Sequence, residues 1–561
     1  MAGQRASGVA TAQVQRTLRQ TFGFRRLREG QQPVIERVLA GLPTLAILPT
    51  GAGKSLCYQL PALLLPGLTV VVSPLIALIK DQCDALAELG IGAVQCHSGQ
   101  PAADAAAARG AIADQSARIV YTTPEQLADA DLVGALAGAG VSLLVVDEAH
   151  CISQWGFDFR PAFLDLGPAL PRLGAPTVLA LTATATESVV DDIARLLGIP
   201  KSGVIAAAVY RANLHLHAEH IAREDDKLPR TLAIVRATEG CGMVYAATVK
   251  AAEEIHAALE AAGESVGLYH GKLGAARRRA SQDAFMSGGV RVMVATNAFG
   301  LGIDKADVRF VVHYQIPSGL DAYYQEAGRA GRDGAPAQCT LLYAGADKSV
   351  QQFFLAGRYP EPADFEAVYA ALRRNPPPGG WTAEALVEAI DGNRRKTKVA
   401  LGELILRGLV GRTRSGGLKP SAQAGWDARA MLQIAARYRE RREQDRALLE
   451  AMVAYARSGR CRWGSLLDHF GQKLGAPRCG TCDICLRLSA HAAQPALQAD
   501  AQPAAPSEPI RVAFAPGERV RTRRHGFGVV READELCVTV EFANGSQRCF
   551  QSQFVRPAAQ V

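Results

Sequence analysis

The sequence lacks the segments that carry a chain into or across a membrane. It contains no run of about eighteen apolar residues, and its first ten residues, MAGQRASGVA, include no apolar stretch of the kind that signal peptides need. These absences argue against a helical membrane protein and against a secreted one. We therefore expect an intracellular, cytoplasmic protein without a membrane partner.

Most of the cysteines in the sequence are isolated, and the net charge is small for the length of the chain. Eight of the twelve cysteines are scattered singly, which suits a reducing compartment where each packs as a small apolar group. The net charge of +8 is spread over 561 residues. It gives weak support for a polyanionic partner, and a solvated, slightly basic surface explains it equally well. The length indicates three or four domains.

A glycine-rich turn lies between an apolar segment and a predicted helix at residues 44–55, TLAILPTGAGKS. Such a turn directs backbone N–H groups at one point, as a bound polyphosphate requires. Lys54 would neutralise the outer phosphates, and the Ser55 hydroxyl would hold Mg²⁺. Leu48 stands where the strict phosphate-loop pattern has glycine, so the turn alone also fits a surface loop. The predicted nucleotide contacts of this loop are Thr50, Gly51, Ala52, Gly53, Lys54 and Ser55.

Apolar strand-like segments alternate with helical ones after the loop, which predicts a parallel sheet covered on both faces. The segments are 68–72, 118–122, 142–147 and 177–183. Asp147 and Glu148 end one of them, at the edge where such sheets bind ligands. Asp147 can hold Mg²⁺ through water, and Glu148 can orient and deprotonate the water that attacks the γ-phosphate. Acidic helix caps are the alternative, but together with the loop the pair predicts an ATPase.

The order of short motifs resembles the helicases of superfamily two. The matching stretches are PTGAGKS, SPLIALIKDQ (73–82), TTPEQL (122–127), DEAH (147–150) and TATAT (182–186). HCISQWGFDFRP (150–161) resembles the aromatic-rich loop of RecQ-family DNA helicases. FGFRRLREGQ is similar to that family's adenine motif, and the resemblance assigns the base contacts to Phe24, Arg28 and Gln31.

The aromatic loop has a chemistry of its own. Trp155, Phe157 and Phe159 lie beside Arg160, so they can stack on bases and report their occupancy to the nearby carboxylates. Three core aromatics on one strand are the alternative. Phe157 departs from the family, in which many relatives have histidine here.

A second alternation begins near residue 242 and predicts a second α/β domain without a phosphate loop. Its strand-like segments are 243–248, 265–271, 290–296, 308–314 and 340–344. Its chemistry must therefore be done at an interface with the first domain. The stretches TNAFGLGIDKADV (296–308) and QEAGRAGRDG (325–334) match the last two helicase motifs. The resemblance assigns Arg329 and Arg332 to ATP, on one face if their segment is helical, and Asp304 to interdomain coupling.

A DNA strand would then lie across the carboxyl edges of both sheets. Backbone amides and hydroxyls near Ser73, Thr123 and Thr296 would hold its phosphates. Closure of the two lobes on ATP and release after hydrolysis would become stepping along the strand.

Three helical segments and a basic hairpin follow the motor, an order similar to a winged helix. The segments are 365–373, 382–390 and 396–409, and RTRSGG (412–417) is the predicted wing tip. RecQ proteins usually carry this domain after the zinc site, so its place here is a departure. Asp427 to Gly459 is predicted to form a helical hairpin.

Four cysteines near residue 480 have the spacing of a closed, tetrahedral Zn²⁺ site. They are Cys461, Cys479, Cys482 and Cys485. An iron–sulfur cluster is the alternative. The stretch also resembles the RecQ zinc module, in which the metal is structural.

The last hundred residues begin with a segment whose composition predicts a disordered linker, 489–509. An alternating pattern with an Asn544-Gly545 turn follows and predicts a small antiparallel barrel, which resembles the Tudor-like tails of UvrD-type helicases. Either a protein or DNA could be its partner. The helicase-and-RNase-D module of many RecQ proteins is not recognisable.

The sequence thus predicts an α/β protein with two tandem RecA-like parallel-sheet domains, a winged-helix-like region, a helical zinc module and a small β-barrel. We expect an ATP-dependent 3′–5′ DNA helicase of RecQ type, using ATP, Mg²⁺ and Zn²⁺ on single- and double-stranded DNA in recombination and repair. Single-strand-binding protein and other repair proteins are expected partners. Because its substrate is DNA, we expect the protein to associate with the nucleoid. A DEAD/DEAH-type RNA helicase and a DNA-binding scaffold without turnover are the alternatives. The expected domains are 1–20, 21–210, 211–350, 351–424, 425–488, 489–509 and 510–561.

Overall fold

The computed structural model of the chain describes eleven stretches of the sequence. They are residues 2–74, 76–153, 161–299, 305–374, 380–412, 417–421, 428–498, 514–522, 525–533, 537–551 and 555–558. Within these stretches, no helix combines the length and the apolar character needed to cross a bilayer.

The first lobe is a seven-stranded parallel sheet in the order β3-β4-β2-β5-β6-β1-β7. Its strands are β1 (Thr44–Ile47), β2 (Leu68–Val72), β3 (Ala93–Cys96), β4 (Ile119–Thr122), β5 (Val141–Val146), β6 (Thr177–Thr182) and β7 (Val204–Ala206). Its helices are α1 (Ala2–Gln20), α2 (Gln31–Leu39), α3 (Leu56–Leu64), α4 (Ile76–Glu88), α5 (Ala102–Ala113), α6 (Ala130–Ala139), α7 (Leu166–Arg172) and α8 (Glu187–Leu197).

Apolar runs of the sequence form the central strands of this lobe because both faces of the sheet are covered. β1, β2 and β4 are buried along their whole length. Two separate apolar cores lie on opposite faces of the sheet. The sequence analysis did not identify β3, β7 or α1. Val14 and Leu18 of α1 pack beside Leu60 of α3.

The second lobe is a six-stranded parallel sheet in the order β10-β11-β9-β12-β13-β8. Its strands are β8 (Leu214–His220), β9 (Cys241–Tyr245), β10 (Val266–Tyr269), β11 (Val292–Ala295), β12 (Val308–His313) and β13 (Ala337–Tyr343). Its helices are α9 (Lys227–Ala237), α10 (Val249–Ala261), α11 (Ala275–Met286), α12 (Leu320–Ala327) and α13 (Gly345–Ala356). The prediction of two parallel-sheet lobes is confirmed, with β8 as an edge strand that the sequence did not indicate.

Three helices and a two-stranded antiparallel hairpin form the winged-helix-like region. They are α14 (Pro362–Leu372), α15 (Ala383–Glu388), α16 (Arg394–Leu406), β14 (Val410–Arg412) and β15 (Leu418–Pro420). Their side chains share one core, which includes Phe365, Trp381 and Leu404. Residues 413–416 of the predicted wing tip lie outside the described residues.

The charged stretch after this region is one helix, α17 (Ala428–Arg457), and the predicted helical hairpin is wrong. No glycine or proline interrupts these thirty residues, so nothing forces a turn. The shorter helices α18 (Arg462–His469) and α19 (Asp483–Gln498) flank the cysteine cluster.

Helix α19 also corrects the predicted disordered linker, because it continues to Gln498 and takes up the linker's first ten residues. The alanines of SAHAAQPALQ favour a helix, whereas Pro495 near its end disfavours one, so the sequence alone does not explain why the helix continues to Gln498. Residues 499–513 lie outside the described residues.

The tail is a five-stranded antiparallel sheet in the order β19-β18-β17-β16-β20. Its strands are β16 (Arg519–Thr522), β17 (Gly526–Ala533), β18 (Cys537–Phe542), β19 (Gln547–Gln551) and β20 (Val555–Pro557). The turn at Asn544-Gly545 joins β18 to β19, with Gly545 at φ 75°. The Tudor likeness stays a prediction. Cys537 and Cys549, expected to be single, are joined by a disulfide across these strands.

Candidate active site

The phosphate loop joins β1 to α3 and is held by the residues of the predicted adenine motif. Gly51 and Gly53 have φ of 84° and 75°, a left-handed conformation that glycine adopts without strain. Gln31 Nε2 donates to the carbonyl oxygens of Ala52 and Gly53, each at 2.9 Å. A Cβ at Gly53 would lie 2.7 Å from this nitrogen. Glycine is therefore required for the close approach of Gln31.

Gln31 is 1% exposed, and its amide oxygen accepts from the backbone N–H of Arg28 at 2.8 Å. Arg28 in turn donates to the carbonyl of Gly51. Both side chains thus hold the loop itself in this conformation, and their contact with adenine stays a prediction. Phe24 is 52% exposed and accessible for stacking.

Lys54 follows the turn at the start of α3. Its Nζ lies 3.5 Å from the carbonyl oxygen of Leu48, the residue that departs from the strict loop pattern. The loop therefore forms without glycine at position 48. Thr50 Oγ1 is buried and makes no hydrogen bond to the described residues. A phosphate oxygen at this position would provide the partner that Thr50 lacks.

The carboxylates Asp147 and Glu148 lie at the carboxyl end of β5, as predicted. Asp147 Oδ1 accepts from the backbone N–H of Glu148 at 3.0 Å. Glu148 has φ 49° and ψ 49°, a left-handed conformation that costs a non-glycine residue about 1–3 kcal/mol and is concentrated at functional sites. Its side chain lies beside the ring of His150.

The two carboxyl groups have opposite electrostatic environments. Burial and the neighbouring charge of Glu148 raise the pKa of Asp147 to about 7. Burial would also raise the pKa of Glu148, but the adjacent His150 ring and the charges of Lys54 and Arg329 outweigh it and lower this pKa to about 2. His150 Nδ1 lies 3.3 Å from Glu148 Oε2 and 3.1 Å from Thr182 Oγ1.

The second lobe meets the first at this loop. A Cβ built on Gly51 would lie 3.3 Å from Cγ of Arg332, and one on Gly328 would lie 2.4 Å from Thr50 Oγ1. Arg329 is 5% exposed, and its Nε lacks a hydrogen-bond partner among the described residues. A buried guanidinium N–H without a partner fits an anion in the cleft. The residues present therefore fit a nucleoside triphosphate between the lobes.

Arg329 and Arg332 do not share a helical face, because α12 ends at Ala327 and both arginines lie in the turn that follows. Arg211 and Asn213 hold this turn. Arg211 donates to the carbonyls of Gly328 at 2.8 Å and Ala330 at 2.9 Å, and Asn213 donates to that of Gly331 at 2.8 Å. Sequence reasoning missed both residues, because more than a hundred residues separate them from the turn that they hold.

The predicted DNA contacts are only partly described. Ser73, Thr123 and Thr296 directly follow β2, β4 and β11, and all three side chains are buried. They lie at the carboxyl ends of their strands, and their contact with DNA stays a prediction. Trp155, Phe157, Phe159, Arg160 and Asp304 lie outside the described residues.

The four predicted cysteine ligands meet in the zinc module, with all ligand atoms within 4.8 Å of one another. Cys461 precedes α18, and Cys482 and Cys485 are buried at the start of α19. Four converging thiols without a carboxylate or histidine fit a structural Zn²⁺ ion with all positions closed. The four ligands would then hold α18 to α19.

The zinc module packs on the second lobe and on the connection between the lobes. Trp463 Nε1 donates to the carbonyl of Leu214 at 3.1 Å, and Arg462 forms a buried ion pair with Asp483 at 2.9 Å. Gln472 accepts from the Val209 N–H at 2.9 Å and donates to the Ala207 carbonyl at 3.1 Å. The module thus holds the segment that leads from β7 to β8.

Three known families match successive parts of the chain. The family described as DEAD/DEAH box helicase matches residues 28–193, the helicase conserved C-terminal domain matches 225–334, and the RecQ zinc-binding family matches 427–486. These ranges contain the phosphate loop with the carboxylates, the arginine turn, and the four cysteines, respectively.

Curated relatives carry the same assignment. The chain is 42% identical over 336 residues to the ATP-dependent DNA helicase RecQ of Bacillus subtilis (strain 168), which covers 60% of this chain and 56% of that protein. It is 39% identical over 351 residues to the probable ATP-dependent DNA helicase RecS of the same organism, which covers 60% of this chain and 68% of that protein. The chain thus spans about half to two thirds of the length of these relatives.

A solved structure of the DUF1998 helicase MrfA bound to DNA superposes with a TM-score of 0.51 at 18% identity, covering 73% of this chain and 62% of that one. At this identity the likeness shows the fold alone, that of a two-lobed helicase. The 39% identity to RecS, over 68% of its length, and the match to the RecQ zinc-binding family both indicate the same family. The chain therefore belongs to the RecQ family of superfamily-two helicases.

Proposed function

We propose that this chain is an ATP-dependent DNA helicase that moves 3′ to 5′ along one strand and opens duplex DNA. One observation carries the proposal: Arg332 of the second lobe lies against Gly51 of the phosphate loop. A nucleotide bound there contacts both lobes, so that its hydrolysis changes how they are held together.

Different residues of the cleft would have different roles in ATP binding and hydrolysis. Lys54 and the loop N–H groups bind the phosphates, while Ser55 and Asp147 would hold Mg²⁺, which supplies charge neutralisation on the phosphate oxygens. Glu148, ionised at neutral pH, accepts a hydrogen bond from the attacking water and orients it. Arg329 and Arg332 stabilise the negative charge that develops on the transferred phosphoryl group.

The family supports DNA as the polymer, and the carboxyl edges of both sheets carry the hydroxyl groups expected to contact it. Hydroxyls near Ser73, Thr123 and Thr296 would bind the strand's phosphates, and Trp155, Phe157, Phe159 and Arg160 would stack on its bases. Asp304 would couple the lobes. We propose roles in recombination and repair, at the nucleoid in the cytoplasm, with single-strand-binding protein among the partners. The winged-helix-like region would contact duplex DNA.

ATP hydrolysis measured with single-stranded DNA and with RNA of the same sequence tests the assignment. We expect DNA to stimulate turnover more than RNA does, followed by unwinding of a duplex with a 3′ tail. Equal or greater stimulation by RNA would indicate a DEAD/DEAH-type RNA helicase instead. DNA binding without any stimulation would indicate a scaffold.

A further inference from the structure

The tail sheet carries a row of arginines around an exposed aromatic ring on its outer face. Side chains of β16 and β17 point alternately to the two faces of the sheet. Val520 and Val530 lie in the tail core, and Arg519, Arg521, Phe527 and Val529 are exposed on the other face. We name the outer residues Arg519, Arg521, Phe527, Val529 and Arg556 the arginine–phenylalanine face.

The strand register brings these side chains together. Arg521 pairs with Phe527 on one side and with Arg556 on the other, and Arg519 pairs with Val529. The guanidinium carbon of Arg521 lies 5.5 Å from the centroid of the Phe527 ring. The ring and at least two positive charges therefore lie on neighbouring strands of one surface.

Two like charges directly opposite each other destabilise a sheet, and the only compensation that the described residues show is the contact of Arg521 with the Phe527 ring. Among the described residues, Arg519, Arg521 and Arg556 form no ion pair. Glu541, which pairs with Val529 in the register, is occupied by Arg531. The positive charges of this face are therefore available to bind a ligand from outside the tail.

Phe527 is 54% exposed and Val529 is 37% exposed. A flat aromatic ring flanked by arginines provides a stacking surface for a base and cations for the adjoining phosphates. The sequence extends the basic run with Arg523 and Arg524, which lie outside the described residues.

We propose that the arginine–phenylalanine face of the tail binds single-stranded DNA, as a second contact for the strand handled by the motor. Phe527 stacks on a base, and Arg519, Arg521 and Arg556 bind backbone phosphates. The inference rests on the proposed function only in taking DNA as the polymer. An acidic protein surface is the competing partner, and it would not use the ring for stacking.

The first test measures the affinity of the full-length chain for a long single strand at several salt concentrations. Replacing both arginines, Arg521→Gln with Arg556→Gln, removes two phosphate contacts, so the slope of log affinity against log salt falls by about 1.4. The double lysine variant at the same positions keeps the charge and the slope. Arg531→Gln with Glu541→Gln, which removes an ion pair of the same sheet without changing its net charge, is the matched control. An unchanged slope in the double glutamine variant overturns the proposal.

The second test addresses stacking. Phe527→Ala lowers the affinity for the single strand about fivefold or more, while affinity for a blunt duplex changes little because its bases are not accessible. An equal loss on both substrates, or none on the single strand, contradicts the role of the ring. Folding is checked by thermal melting, where removal of the opposed arginines leaves the tail at least as stable.

Hydrogen exchange on the unaltered chain separates this inference from the proposed function. Single-stranded DNA slows amide exchange in β16 and β17 if the face binds it. Absence of DNA-stimulated hydrolysis would refute the motor without altering this protection. If DNA stimulates ATP hydrolysis but does not slow exchange in β16 and β17, the motor stands and DNA binding by the arginine–phenylalanine face is refuted. A protein partner would then be the ligand of this face.

Discussion

The smallest scale at which the chain can be understood is the single side chain at the cleft. Lys54 was evident from the sequence because a glycine precedes it and a serine follows it in one turn. Arg211 was not, since no local pattern connects it to the turn that it holds 117 residues later at Gly328. Motifs reveal groups that touch a ligand, whereas groups that position them come from distant segments.

Replacing Lys54 by alanine removes the cation that neutralises the outer phosphates. We expect ATP hydrolysis and unwinding to fall at least about 100-fold, with DNA binding largely retained. Steady-state turnover and DNA affinity are measured on the same preparation. Lys250→Ala is the control, since this side chain is 86% exposed on α10. A Lys54→Ala chain that still unwinds DNA would refute the assigned site.

Arg211→Ala releases the turn that carries Arg329 and Arg332. We expect kcat to fall about tenfold or more while ATP affinity changes less, because the arginines are misplaced when charge develops on the phosphoryl group. Arg211→Lys should restore part of the rate. Arg230→Ala, which removes an exposed partner of Glu219, should leave it unchanged. If the fraction of folded protein falls as much as kcat does in Arg211→Ala, the loss of rate reflects unfolding and Arg211 is merely structural.

At the scale of elements, the strands were predicted well and the helices less well. Buried parallel strands are continuous apolar runs that the sequence displays directly. The exposed edge strand β8 alternates with histidines and was overlooked. The single helix α17 was divided in error, because its length suggested a turn although no glycine or proline provides one.

One buried ion pair joins two helices of the second lobe. Lys227 at the start of α9 is fully buried against Asp347 of α13, and burial raises the pKa of this carboxyl group. Asp347→Asn leaves the ammonium, among the described residues, with the half-exposed Glu224 at 3.2 Å and the ring of Tyr314 at 5.4 Å. We expect a loss of about 3 kcal/mol in the free energy of unfolding, measured with urea. Asp225→Asn, on an 89% exposed side chain, should cost almost nothing.

At the scale of the whole molecule, the zinc module is part of the motor. Trp463, Leu466 and Cys482 belong to the same core as Tyr323 and Tyr324 of the second lobe. Family resemblance predicted the module and its ligands, but could not indicate this shared core, since packing between segments more than a hundred residues apart leaves no trace in local spacing.

Cys482→Ser should therefore lower zinc content and the stability of the second lobe together. We expect amide protection to be lost in α18 and β8 before the first lobe is affected, because the first lobe has its own cores. Metal analysis and hydrogen exchange measure the two effects. Cys83→Ser, outside the cluster, should retain full metal content. Unchanged metal stoichiometry in Cys482→Ser would count against the ligand set.

The hydrogen bonds of Gln472 limit where the molecule can bend. Ala207 and Val209 are both fixed to this side chain, and the Val209 carbonyl also accepts from Tyr324 at 2.8 Å. Rotation within this short connection would break these bonds, and the Ala207 N–H also donates to the Ile47 carbonyl of β1 at 2.9 Å, so the connection is held from both sides. With a metal ion bound, the module would act as a splint on residues 207–209, so that loosening the module would free the two lobes to move against each other.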